Sequence, residues 1–95
     1  MATFKEFIEI VSSIDDEAIL EDLLVGITTD KERTELTQRI EIIRQLVKGV
    51  PQQQIAKNLG VGVATVTRGS KELSQGRFKY FTQSKSELGD IWQEK

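Results

Sequence analysis

A single glycine at position 60 separates two short runs whose apolar residues recur at helical spacing. Ahead of it, Ile55, Ala56 and Leu59 make an inner face, and small Ala56 permits close approach of a neighbouring helix. Behind it, Val61, Val63 and Val66 return apolar side chains toward the same core. Gly60 supplies the positive φ that a tight turn between the two runs demands. Residues 52–68 therefore read as a helix-turn-helix, and the rest of the chain must build a helical body to carry it. In that motif the second helix enters the major groove of DNA, with short side chains at its tip and basic residues behind to hold phosphates. Gly62, Val63, Ala64, Thr65 and Thr67 supply the tip here, while Lys57, Arg68 and Lys71 supply charge.

The remaining residues agree with an all-α class. Thr3-x-x-Glu6 is a capping box, followed by a stripe of Phe4, Phe7, Ile8 and Val11. Residues 13–16 offer a break and a fresh acidic start for a second helix carrying Ile19, Leu20, Leu23, Leu24 and Ile27. Thr29-Asp30-Lys31-Glu32 opens a third helix, with Asp30 beside the positive end of its dipole. Leu36, Ile40, Ile43 and Val47 form its expected buried stripe, widened by Ile42 and Leu46, and Lys48-Gly49 should end it. Pro51 fits as the first residue of the next helix. Residues 77–81 and 84–93 look like weaker helical pieces, with Phe78, Phe81 and Trp92 as apolar anchors packed in a core. There is no repeat, no low-complexity stretch and no β-hairpin signal.

Ninety-five residues make one small domain, and a chain of that size buries roughly 60–65% of its unfolded surface, so dimerisation is a natural remedy for a thin core. No apolar run approaches the roughly 20 residues that span a bilayer, and MATFKEF is not a signal peptide, so no membrane partner is expected. The absence of cysteine suits a reducing cytoplasm. Histidine is absent as well, which removes the commonest nucleophile, base and metal-ligand chemistries; no metal site, no catalytic residue and no enzyme are expected. The net charge of −2 hides a strong division. Residues 1–37 hold three Lys/Arg against ten Asp/Glu, residues 38–85 nine against two, and residues 86–95 one against three. Either the basic middle binds a polyanion, or the acidic ends neutralise it.

The second helix of the motif is built from poor helix formers. Summed over Val63, Thr65, Val66, Thr67, Gly69 and Ser70, the penalty relative to alanine is about 3–4 kcal/mol. Packing can absorb that, or a ligand can order the segment.

Residues 39–73, RIEIIRQLVKGVPQQQIAKNLGVGVATVTRGSKEL, resemble the bacterial tryptophan operon repressor family, and ATVTRGS at residues 64–70 is close to its signature. TTDKER at residues 28–33 extends the likeness to about half the chain. The resemblance implies an intertwined, all-helical homodimer with L-tryptophan as corepressor and double-stranded operator DNA as partner, and no other cofactor. Residues 1–95 would form a single domain, with 1–48 as dimerisation core, 51–73 as helix-turn-helix and 74–95 as a helical tail. Bound tryptophan would tilt the reader helices toward half-sites roughly 34–36 Å apart, a spacing described for this family among others. By the same resemblance Arg39 and Arg68 would sandwich the indole, a geometry that suits planar guanidinium. Gly69 would leave room for the ring, Ile43 would line the floor, and Thr29 would lie near the ligand carboxylate. Glu72 departs from the family, standing where a serine lies near the ligand amino group; it would grip an ammonium or neutralise Arg68. Family residues that contact DNA match Gln53 and Ala56, so Gln52, Gln53 and Lys57 become the candidate contacts of the first helix, with Gln53 suited to an adenine edge. The alternatives are a ligand-independent helix-turn-helix, one answering to another aromatic effector, or a domain whose basic middle binds an acidic protein.

Overall fold

A computed structural model describes residues 1–82, and the expected helix at residues 84–93, with its Trp92 anchor, lies outside them. The described residues form six helices and no strand: α1 Phe4–Ser12, α2 Glu17–Ile27, α3 Asp30–Val47, α4 Gln52–Leu59, α5 Val63–Ser74 and α6 Lys79–Thr82. They fall into two compact units, Met1–Thr34 and a second that begins at Glu35.

Local chemistry sets the helix ends of the first unit. Thr3 Oγ1 accepts from the Glu6 N–H at 3.1 Å, and Asp16 Oδ1 accepts from the Ala18 and Ile19 N–H groups at 2.8 and 3.2 Å. At α3 the capping box is complete: Glu32 N–H donates to Thr29 Oγ1 at 3.1 Å, and Thr29 N–H donates to Glu32 Oε1 at 2.9 Å. Hydrogen bonds to the Glu32 carboxyl from the Thr29 N–H, foremost, and from the Thr29 hydroxyl hold it below its ordinary value. Arg33 pairs with Asp30 and also donates to the Thr28 and Val25 carbonyls at 2.8 and 3.2 Å, satisfying backbone acceptors that the end of α2 leaves open. Neither α1 nor α2 contains a buried residue.

The second unit holds the core. Ile42 of α3, Ile55 of α4 and Val66 of α5 are fully buried against one another, with Leu46, Val50, Ala56, Leu59 and Val61 packed around them. Gly49 ends α3 at φ +85°, and the Val50 N–H reaches back to the Gln45 carbonyl at 3.0 Å. Gly60 ends α4 at φ +66° as its position requires, with the Val61 N–H on the Ala56 carbonyl at 3.0 Å. A relay of side chains ties α4 to α3: Gln54 donates to Asn58, Asn58 to Gln45 at 3.1 Å, and Gln45 to Glu41 at 3.2 Å.

Several expectations need correction. The buried face of α3 is centred on Ile42 and Ile43, whereas Leu36, Ile40 and Val47 are exposed, because α4 and α5 cover only the Ile42 side of the helix. Val63 is exposed as well, since it opens α5 one turn before Val66 reaches the core. Pro51 is the residue before α4 and not its first, with ψ of 144°. The reader helix runs on to Ser74, well past Arg68, and the weaker piece expected at residues 77–81 is α6, beginning two residues later.

Candidate ligand cleft and nucleic-acid interface

Gly69 sets the distance between α5 and α3. A β-carbon built there would lie 3.2 Å from both Ile42 Cγ2 and Ile43 Cδ1, and 3.5 Å from Leu46 Cδ1, so the missing side chain is what lets the two helices approach. Beside that contact opens a cleft of about 510 Å³, within the range of small-molecule sites. Apolar Ile42, Ile43, Ala64, Gly69 and Phe78 line it together with Arg39, Arg68, Arg77, Glu72 and Thr65.

Of the expected ligand residues, Arg39, Arg68, Ile43, Gly69 and Glu72 therefore meet in one cleft. Arg39 and Arg68 are exposed, and neither guanidinium has a hydrogen bond or ion pair among the described residues. Glu72 does not engage Arg68; its Oε2 lies 3.5 Å from Arg77 Nε. Gly69 has a second duty beyond leaving room for a ring, since it seats α5 on α3. Thr29 belongs to the first unit, where it caps α3.

Two cleft residues escaped the sequence reading. Beyond the end of α5 the chain reverses at Gly76, with φ +90°, and the Arg77 N–H donates to the Glu72 carbonyl at 3.1 Å, which folds Arg77 back along the last turn. Phe78 follows at φ +66°, a left-handed conformation rare for a bulky residue, and lines the cleft where an ordinary core role was expected. The glycine at position 76 was the available signal, because it marks a chain reversal that brings its neighbours back over α5.

Most candidate DNA residues stand at the starts of α4 and α5, whereas Lys57 and Lys71 lie in the last turns of those helices. Gln53, Lys57, Gly62, Val63, Ala64, Thr65 and Lys71 are exposed. Half-buried Gln52 accepts a hydrogen bond from Thr67 Oγ1 at 2.7 Å, so these two side chains lock the first turns of the two helices together. α1, α2 and α3 begin with side-chain caps, but α4 and α5 begin at Pro51 and Gly62 with none. Their first-turn N–H groups are donors at the positive ends of helix dipoles, which suits backbone phosphates. Ala64 and Thr65 belong to both sets: they stand in the first turn of α5 and line the cleft.

Comparison with known proteins identifies the family. Residues 2–85 match the family described as Trp repressor protein. The chain belongs to the Trp repressor family. Over 71 residues, 74% of this chain, it is 44% identical to the Trp operon repressor homolog of Vibrio campbellii, covering 71% of that protein. It is 38% identical to the homolog of Vibrio cholerae and 37% identical to that of Aliivibrio fischeri strain MJ11, covering 69% and 66% of those proteins. No solved structure gives a significant match. The Trp repressor family is one of DNA-binding regulators and not of enzymes, and this chain is a Trp-repressor-like regulator. Among the described residues no helix is long and apolar enough to cross a membrane, and no group of acidic residues is placed to hold a metal ion.

Proposed function

We propose that this chain is a tryptophan-dependent repressor acting in the cytoplasm. As a homodimer it would bind operator DNA when L-tryptophan is present and lower transcription of genes for tryptophan synthesis or uptake. The observation that carries this reading is the sharing of Ala64 and Thr65 between the cleft lining and the first turn of the reader helix. A ring held against Arg39, Arg68 and the Ile42–Ile43 floor also touches the backbone that faces DNA. Ligand occupancy then fixes the aim of α5, and affinity for DNA follows occupancy because the ligand favours one arrangement of that helix. Two guanidinia without a partner among the described residues suit the compound: one stacks on an indole face while the other takes a carboxylate in bidentate fashion.

The homodimer is supported by the surface of the single chain. Phe4 and Ile19 are 76% and 59% exposed, and Ile8, Ile10, Val25, Ile27, Leu36 and Ile40 are exposed as well. So large an apolar display on a small chain calls for a second copy to cover it.

Calorimetric titration with L-tryptophan, run beside gel retardation on candidate operators, tests the proposal. Tryptophan should bind and raise DNA affinity at least tenfold, and Arg68→Ala should abolish both effects. Operator binding by Arg68→Ala that still responds to tryptophan would overturn the assigned role of that arginine. Operator binding by the native protein that ignores tryptophan would overturn the ligand.

A further inference from the structure

Phe78 combines two properties that an ordinary packing residue does not. Its backbone is left-handed, at φ +66°, and it is the one residue other than glycine in that region among those described. A bulky side chain there crowds its own backbone, so folding alone would favour glycine or asparagine. Its half-buried ring also stands apart from the core of Ile42, Ile55 and Val66 and from the residues packed around that core. It lines the cleft instead, as the one aromatic among the described residues that do so.

Bonds on both sides hold the backbone in this conformation. Ahead of it, the Gly76 N–H donates to the Leu73 carbonyl at 3.0 Å and the Arg77 N–H to the Glu72 carbonyl at 3.1 Å. Behind it, the Phe78 carbonyl accepts from the Phe81 and Thr82 N–H groups at 2.9 and 3.1 Å and so starts α6. Strain of this kind persists only where the surroundings over-determine it, and it collects at ligand sites. We propose that Phe78 is a specificity-determining residue of the cleft, a wall on which the flat ring of an aromatic amino acid packs, so that such a ligand is preferred to an aliphatic one. This rests on the reading of the cleft as an indole amino-acid site. Ile42 and Ile43 give apolar surface that an aliphatic side chain also covers. A second ring adds offset or edge-to-face contact, which amounts to a further factor of roughly two to ten in affinity beyond the area covered.

The test is calorimetric titration of the full-length protein with L-tryptophan, and with L-leucine in competition, beside thermal unfolding of the ligand-free protein. Phe78→Leu keeps the apolar bulk and the backbone strain, so its ligand-free Tm should match the native one. Its affinity for L-tryptophan should nevertheless fall roughly fivefold, and the preference over L-leucine should shrink by the same factor. Phe78→Tyr keeps the ring and should bind within about twofold of the native protein. Phe78→Gly removes both ring and strain, so affinity should fall about tenfold while the ligand-free Tm holds or rises. Native affinity in Phe78→Leu would overturn the inference and leave the tryptophan reading standing, because apolar bulk would then suffice. So would a loss in Phe78→Tyr as large as that in Phe78→Leu, or a glycine variant that loses Tm and keeps its affinity. If the leucine variant does not fold, the tyrosine and glycine variants decide in the same way. A native protein that binds no L-tryptophan would bring down the tryptophan reading and this inference together.

Discussion

At the scale of single residues, two positions show opposing effects that measurement can separate. Glu32 is exposed, yet its carboxyl sits below the ordinary range because Thr29 donates to it from the backbone and then from its hydroxyl, with Arg33 adding a nearby positive charge. A folded value below the unfolded one stabilises at pH above the unfolded value, and that contribution is lost as pH falls through the folded value. The stability difference between the native protein and Glu32→Gln should thus be constant from neutral pH down to about 5 and vanish in stronger acid. Urea denaturation across that range measures it, and a difference that grows toward acid would refute the assignment. Gly69 is the second case. Alanine there gains about 1 kcal/mol of helix propensity. Its β-carbon, however, meets Ile42 Cγ2 at 3.2 Å, and Ile42 is fully buried and has nowhere to go. Overpacking costs about 1–3 kcal/mol, so Gly69→Ala should lose about 1 kcal/mol net. That corresponds to a fall in Tm of roughly 4–8 °C, and a rise would show that the α3 side chains yield.

Among the elements, α5 explains how poor helix formers make a regular helix. Val66 is fully buried, and Thr67 shares its single hydroxyl hydrogen between Gln52 Oε1 and the Val63 carbonyl, so packing and side-chain bonding offset the propensity penalty. Isolated segments of this kind would not hold, because nucleating a helix costs more than its first hydrogen bond returns. The stability of the reader helix is therefore tertiary, and it depends on Ile55 and Ile42 behind it. Ile55→Ala should cost about 3 kcal/mol, a large part of the roughly 5–15 kcal/mol margin of a small domain. Thermal or urea unfolding followed by circular dichroism reads this directly. A loss under about 1 kcal/mol would mean that α4 and α5 do not share one core.

For the whole molecule, the chief quantity is the apolar surface left on α1, α2 and the Leu36–Ile40 side of α3. Analytical ultracentrifugation should find a dimer at micromolar concentration, and Tm should rise with protein concentration, as mass action requires for a folded dimer. Leu36→Glu should shift the population to monomer and lower Tm. A monomeric native protein with concentration-independent Tm would remove the dimer from the proposal. Charge acts at the same scale. Nine cations against two acids in residues 38–85 suit the proposed binding of a polyanion, and operator binding should weaken steeply with salt.

Helix starts and stops were legible because they depend on atoms within about four residues of one another. Thr3, Asp16 and the Thr29–Glu32 box begin their helices, and Gly49 and Gly60 end theirs, each by a bond or a backbone angle the local sequence dictates. The turn at Gly60 and the likeness at residues 64–70 located the reader motif in the same way. Which faces are buried was another matter. Ile42 and Ile43 are buried while Leu36, Ile40 and Val47 are not, although all five repeat at helical spacing, because burial depends on where α4 and α5 land. Arg77 and Phe78 reach the cleft only through the chain reversal at Gly76, and Glu72 turned to Arg77 instead of Arg68 for the same reason. Sequence alone determined the helices and the chemistry each one carries. Tertiary structure decided which charges meet, since contacts between residues remote in the chain exist only after the helices have packed.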